Sequence, residues 1–165
     1  MNKLILSIPH SGTRTLMSIF DCPYTHTFIR EYPGWSGFGD ELLICPMREP
    51  RSVWLSWVKR WELKRGEVEL RYFQLQYEHL EALDKEYDIL YIPIERIRAY
   101  EGHIDYRPSG EYEEPDWHYI YSLPFVRKFY IRLRPGEKID DNSASRVEGI
   151  PPNDQNRESS RDQCS

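Results

Sequence analysis

Residues 3–16 read KLILSIPHSGTRTL, and the order of residue types in this stretch sets the architecture. Residues 3–8 form a short apolar run, the pattern of a buried strand, and Pro9 and Gly12 punctuate its end. A helix is predicted from Thr13 to about Phe20, closed by Pro23. A strand, a glycine turn and a helix start in succession leave backbone N–H groups at the mouth of a helix. The amides from Ser11 to Thr15 are predicted to be unpaired donors there, able to cradle an anionic oxygen. Gly12 lets the backbone approach a ligand closely. Ser11, Thr13 and Thr15 add hydroxyls, and His10 and Arg14 add positive charge. Serine and threonine ahead of a helix also serve as simple caps, so the loop alone leaves both readings open.

Working outward, residues 25–32 carry β-branched and aromatic residues and predict a second strand. Residues 33–40 hold Gly34, Gly37 and Gly39 and predict a loop. Residues 41–47 are a third strand, with Pro46 near its end. Pro50 suits the first turn of a helix that reaches about Arg65, with Gly66 as punctuation. A second long helix is predicted over 67–87, where Phe73, Tyr77, Leu80, Leu83 and Tyr87 recur at steps of three and four on one face. Residues 88–94 are a fourth strand, followed by a short helix over 95–100. Strands alternating with helices in this order predict an α/β domain with a central, mainly parallel sheet and flanking helices. Ligands of such sheets sit beyond the carboxyl ends of the strands, where residues 9–14 and 47–52 both fall. Residues 102–116 read as a polar surface loop. Residues 117–133 are aromatic and apolar and should pack back on the domain, as helix, hairpin or both. The domain is placed at 1–139, and residues 140–165, nearly devoid of apolar side chains, read as a disordered tail.

At 165 residues the chain is long enough for one domain with a real core. Twelve Tyr and five Trp predict that this core is aromatic-rich. A formal charge of −5 argues against general nucleic-acid binding. The charge is unevenly placed: between Arg48 and Arg65 six Lys or Arg face two Glu, Glu49 and Glu62. A basic segment in an acidic protein fits a focused anion site or a solvated helix face. Cys22, Cys45 and Cys164 make no disulfide framework. Cys45 reads as a core thiol, and Cys22 with His26 is too sparse a set for a metal, so no metal site is expected. The apolar run before Pro9 is too short for a signal peptide or a membrane span. A soluble, cytoplasmic protein without membrane partners is expected.

A second motif, REPRSVWLSW at 48–57, follows the third strand. Arg48 leaves the strand end, and Ser56 lies about two helical turns beyond Pro50. A guanidinium supplies a fork of donors suited to phosphate, and a hydroxyl on the next helix can converge on the same group. Either residue alone has an ordinary reading: Ser56 bonding back to a helical carbonyl, Arg48 pairing with Glu49 or with the tail.

Together the two motifs resemble the sulfotransferase family, which transfers sulfuryl groups from 3′-phosphoadenosine 5′-phosphosulfate (PAPS). His10-Ser11-Gly12-Thr13-Arg14-Thr15-Leu16 is similar to that family's loop for the 5′-phosphosulfate, particularly the Gly-Thr-Arg form of its heparan-type members. Arg48-Glu49-Pro50 and Ser56 match, in type and spacing, the Arg and Ser that hold the 3′-phosphate. The strand over 89–94 followed by Glu95-Arg96-Ile97 resembles the family's strand ending in Tyr-Glu-Asp-Leu. The resemblance spans roughly residues 3–97. It implies a P-loop NTPase-like fold of the sulfotransferase type, with PAPS as donor and a hydroxyl or amine acceptor of unknown identity: a small molecule, carbohydrate or protein. By the resemblance, His10 and Ser11 to Thr15 hold the phosphosulfate, and Arg48 and Ser56 the 3′-phosphate. His10 and Arg14 share the catalytic charge, and no metal is needed.

The chain departs from the family in four ways. His10 replaces the loop lysine, Thr15 stands where the cytosolic branch has an aromatic that stacks on adenine, the late Gly-rich segment is missing, and the insertions that build an acceptor pocket are largely absent. The catalytic base must be a carboxylate or histidine near the first loop. Glu31, just past the predicted second strand, is the first candidate and His26 the second. Three other functions stay open: a non-catalytic module of the same fold that binds PAPS or its bisphosphate product, a nucleotide kinase on a P-loop scaffold, and a protein-interaction domain using the acidic loop and tail. The kinase lacks its expected Gly-x-x-x-x-Gly-Lys-Ser/Thr loop.

Overall fold

The computed structural model describes residues 1–64, 69–97 and 106–130. Four strands, β1 (Lys3–Ser7), β2 (Tyr24–His26), β3 (Leu42–Met47) and β4 (Ile89–Pro93), form one sheet in the order β2-β1-β3-β4. Every pairing is parallel. Helix α1 (Thr13–Phe20) carries the chain from β1 to β2, and helices α2 (Pro50–Lys64) and α3 (Leu70–Glu86) carry it from β3 to β4. The α/β class and the parallel sheet are as the sequence predicts.

Alternation along the strands explains why helices cover both faces. Ile5 and Ile44 point to one face and pack with Leu16 of α1. Leu6, Cys45 and Met47 point to the other, joining Trp54, Trp57, Phe73 and Leu80 of α2 and α3. This second core is aromatic, with Trp54 and Trp57 edge-on to Phe73 at 5.0 and 5.4 Å between ring centres. Pro46 falls where β3 has run past its pairing with β1, which ends at Ile44, so only the ladder to β4 continues there.

Three elements differ from expectation. The second strand stops at His26, and residues Thr27–Glu31 form a 3-10 turn. β1 ends at Ser7, opposite His26, so the chain beyond has no strand to pair with. The buried Thr27 hydroxyl donates to Gln76 Oε1 of α3 at 2.5 Å, which bends the segment onto that helix. The helix expected over 95–100 is a short 3-10 turn, Ile94–Arg96, and 98–100 lie outside the described residues. Residues 117–133 form helices α4 (Trp117–Ser122) and α5 (Pro124–Arg127), with 131–133 outside the described residues. The predicted tail over 140–165 and residues 102–105 of the polar loop also lie outside them. Among the described residues no helix is long and apolar enough to cross a membrane.

The strand order decides where a ligand can sit. From β1 the chain crosses to β2 on one side, while β3 lies on the other side of β1 and continues outward to β4. The carboxyl ends of β1 and β3 therefore flank the point where connections diverge, which leaves a crevice in open parallel sheets.

Candidate functional site

A cleft of about 630 Å³ occupies that crevice, within the range of small-ligand sites. Pro9, His10, Gly12 and Thr13 of the β1–α1 loop line it, with Arg14 and Met17 of α1, Tyr24 and His26 of β2, Arg48 at the end of β3, and Ser56 and Arg60 of α2. Three arginines and two histidines line the cleft, and among the described residues no Asp or Glu does.

The loop is fixed by contacts that the sequence motifs only hinted at. Trp57 Nε1 donates to the Pro9 carbonyl at 3.0 Å, and Arg48 Nη1 donates to the His10 carbonyl at 3.1 Å. His10 has φ 68°, in the left-handed region, and Gly12 has φ 109°. Gly12 is needed twice over. A Cβ there would meet Ile94 Cδ1 at 2.2 Å, and the backbone conformation itself disfavours side chains. Ile94 thus presses the loop against the 3-10 turn after β4. The first intrahelical bond of α1 runs from Leu16 N to Gly12 O at 3.2 Å. The amides of Gly12, Thr13, Arg14 and Thr15 therefore have no intrahelical acceptor. Ser11 differs from expectation: its amide donates to Ile8 O at 3.1 Å, and its hydroxyl is buried away from the cleft lining. The Thr15 side chain does not line the cleft either.

Arg48 is only 7% exposed. The Glu49 carboxylate, its partner in the ordinary reading, is engaged with other groups. Its Oε2 accepts from Ser52 N at 2.9 Å, capping α2, and its Oε1 accepts from the Tyr121 hydroxyl. Glu95, after β4, accepts from Glu49 N at 2.6 Å and from the Tyr130 hydroxyl at 2.8 Å. The turn that presents Arg48 is thus held from behind by two carboxylates, neither of which lines the cleft.

His10 and Ser56, assigned to opposite ends of one ligand, touch directly: Nδ1 and Oγ are 3.0 Å apart. Burial first, and then the charges of Arg60, Arg48, His26 and Arg14, lower the His10 pKa from 6.5 to about 4. The cleft by itself therefore holds a neutral imidazole near pH 7.

His26 is locked by a different network. Its Nδ1 lies 3.2 Å from Ser7 O and 3.1 Å from Ser7 Oγ. Ser7 Oγ accepts from Thr13 Oγ1 at 2.9 Å and donates to Thr25 O at 3.4 Å. With the serine proton so used, Nδ1 carries the histidine proton and donates to Ser7, leaving a lone pair on Nε2. Burial lowers the His26 pKa, against a smaller opposing effect of the Ser7 bond. Glu31 is elsewhere: its carboxylate is 62% exposed, lies 3.3 Å from His79 Nε2 and does not line the cleft.

Arg60, Tyr24 and Met17 were not singled out from sequence. Arg60 was legible as Ser56 plus four, the next position on the same helical face. Tyr24 was legible as His26 minus two, the same face of a strand. Among the described residues no group of three His, Cys, Asp or Glu comes together. No family model matches the chain, and neither the curated proteins nor the solved structures compared with it give a match.

Proposed function

We propose that the chain is a small PAPS-dependent sulfotransferase of P-loop-like architecture. The observation that carries this reading is the meeting of Arg48 and the Gly12 turn in one cleft lined by cations and, among the described residues, by no carboxylate. The amides of Gly12 to Thr15, which have no intrahelical acceptor, and Arg14 suit the phosphosulfate end, and Arg48 with Ser56 suits the 3′-phosphate end. In the reaction the acceptor oxygen or nitrogen attacks sulfur in line. The bond from sulfur to the 5′-phosphate oxygen breaks, and adenosine 3′,5′-bisphosphate leaves with that electron pair. His26 Nε2 takes the acceptor proton, since its imidazole faces the cleft neutral and Glu31 does not. The amides and arginines neutralise the charge on the departing phosphate.

Calorimetry with adenosine 3′,5′-bisphosphate tests the site. Wild type should bind, and Arg48→Ala should cost about 2–5 kcal/mol, the usual penalty for truncating one partner of a buried charged hydrogen bond. Unchanged affinity in the variant rejects the reading. A second reading, a bisphosphate-binding module without transfer, is favoured by the neutral His10 where the family has lysine. His10→Lys separates the two: a gain in sulfuryl transfer to an acceptor supports an enzyme, and tighter binding with no transfer supports the module.

A further inference from the structure

We propose that Arg60 is the residue by which this cleft tells a nucleotide carrying a 3′-phosphate monoester from one lacking it. The inference rests on the nucleotide reading above and names a determinant that reading did not include.

A phosphate monoester carries close to two negative charges near neutral pH. At the α2 end of the cleft, Arg48 supplies one positive charge and is already sharing its guanidinium with the His10 carbonyl. Ser56 supplies a hydroxyl that is in contact with His10 Nδ1. Neither supplies the second charge. Arg14 belongs to the opposite wall, on the first turn of α1 beside the unpaired amides. Among the described residues, Arg60 is the remaining cation of the lining, one helical turn beyond Ser56 on the same helix. Among the described residues it has no hydrogen-bond or carboxylate partner.

The placement is not that of a generally basic helix surface. Lys59, the adjacent residue, lies over the Tyr106 ring at 5.7 Å, and Arg51 lies over Trp117 at 5.3 Å. Among the described residues of the basic segment, Arg48 and Arg60 alone line the cleft. Among the charges acting on His10, that of Arg60 weighs most, which places it near the imidazole that touches Ser56.

The test is calorimetry on the full chain with two probes, adenosine 3′,5′-bisphosphate and adenosine 5′-monophosphate, against wild type, Arg60→Gln, Lys59→Gln and Arg48→Ala. Wild type should prefer the bisphosphate. Arg60→Gln should weaken the bisphosphate about tenfold, as expected for a lost hydrogen bond to a charged group, and leave the monophosphate within about twofold. Lys59→Gln should change neither. Equal weakening of both probes by Arg60→Gln, or no weakening, overturns the assignment. If Arg48→Ala removes the preference while Arg60→Gln keeps it, the nucleotide site stands and the role of Arg60 falls. A wild type that binds both probes alike overturns the nucleotide reading and this one with it.

Discussion

In the cleft, Arg14, Arg48 and Arg60 face a space that no carboxylate among the described residues lines, whereas the face covered by residues 106–130 joins carboxylates to tyrosine hydroxyls. There Tyr112 donates to Glu62, Tyr119 to Glu81, Tyr121 to Glu49 and Tyr130 to Glu95. A phenol satisfies the hydrogen-bonding capacity of a carboxylate without bringing a positive charge. Pairing acids with neutral donors on one side holds them back from the arginines that line the other. An acidic protein can in this way keep a cation-lined cleft, provided its own acids are tied down away from it.

The largest effect is expected at Gly12, where the cation cleft meets the covered side through Ile94. Gly12→Ala adds backbone strain and an overlap with Ile94, each typically about 1–3 kcal/mol. A loss of about 2–5 kcal/mol in urea denaturation, with loss of bisphosphate binding, is expected. Gly34 also has positive φ, 84°, but a Cβ added there would meet nothing within 4 Å. Gly34→Ala should therefore cost only the strain and leave binding intact. Equal costs at the two glycines would show that the contact with Ile94 contributes nothing.

A smaller effect comes from freeing one acid. Tyr121→Phe leaves Glu49 with its Ser52 cap alone and should cost about 1–2 kcal/mol at pH 8. The same variant also responds differently from wild type at high pH. Burial and Glu49 raise the Tyr121 pKa above its ordinary value of 10, so the fold favours the neutral phenol. Its stabilising effect is complete below pH 10 and is lost as pH rises beyond, at up to about 1.4 kcal/mol per pH unit. Denaturation from about pH 9 to 11.5 should show a shallower decline for Tyr121→Phe than for wild type. Identical slopes would mean that this phenol ionises as freely in the fold as in the unfolded chain.

The smallest effect lies on the acid side of the cleft. With a folded pKa of about 4 against 6.5, His10 stays neutral in the fold after the unfolded chain has taken up its proton. Stability from this source is complete above pH 6.5 and is lost as pH falls toward 4. Asparagine accepts the left-handed φ of this position. Between pH 6.5 and 4, wild type should lose on the order of 1–2 kcal/mol more than His10→Asn, after discounting for solvent on the open side. Denaturant titrations without added anions would measure it, and parallel curves would contradict a depressed His10.

The Gly12 loop, Arg48 and Ser56 were legible because each rests on local spacing: a glycine turn before a helix, a strand end, two turns of helix. Arg60 shares the helical face of Ser56, a signal in the spacing, but that Arg51 and Lys59 turn instead to Trp117 and Tyr106 depends on residues far along the chain. Glu31 looked like a base because residues 25–32 have strand composition, and pairing opposite Ser7 ends that strand at His26. The buried Ser11 hydroxyl was illegible for a similar reason: its direction depends on the turn to Ile8.

The order of strands and helices, the anion-ready mouth of α1 and the need for glycine near its start follow from the amino-acid sequence, because they depend on neighbours a few residues apart. Tertiary structure alone decided that β3 lies beside β1, bringing Arg48 to the His10 carbonyl, and that Thr13, Ser7 and His26 share one hydrogen-bond network. It also decided which charges meet and which are kept apart, because electrostatic contact depends on distance in space, and residues far apart in the chain have no distance until the sheet is assembled.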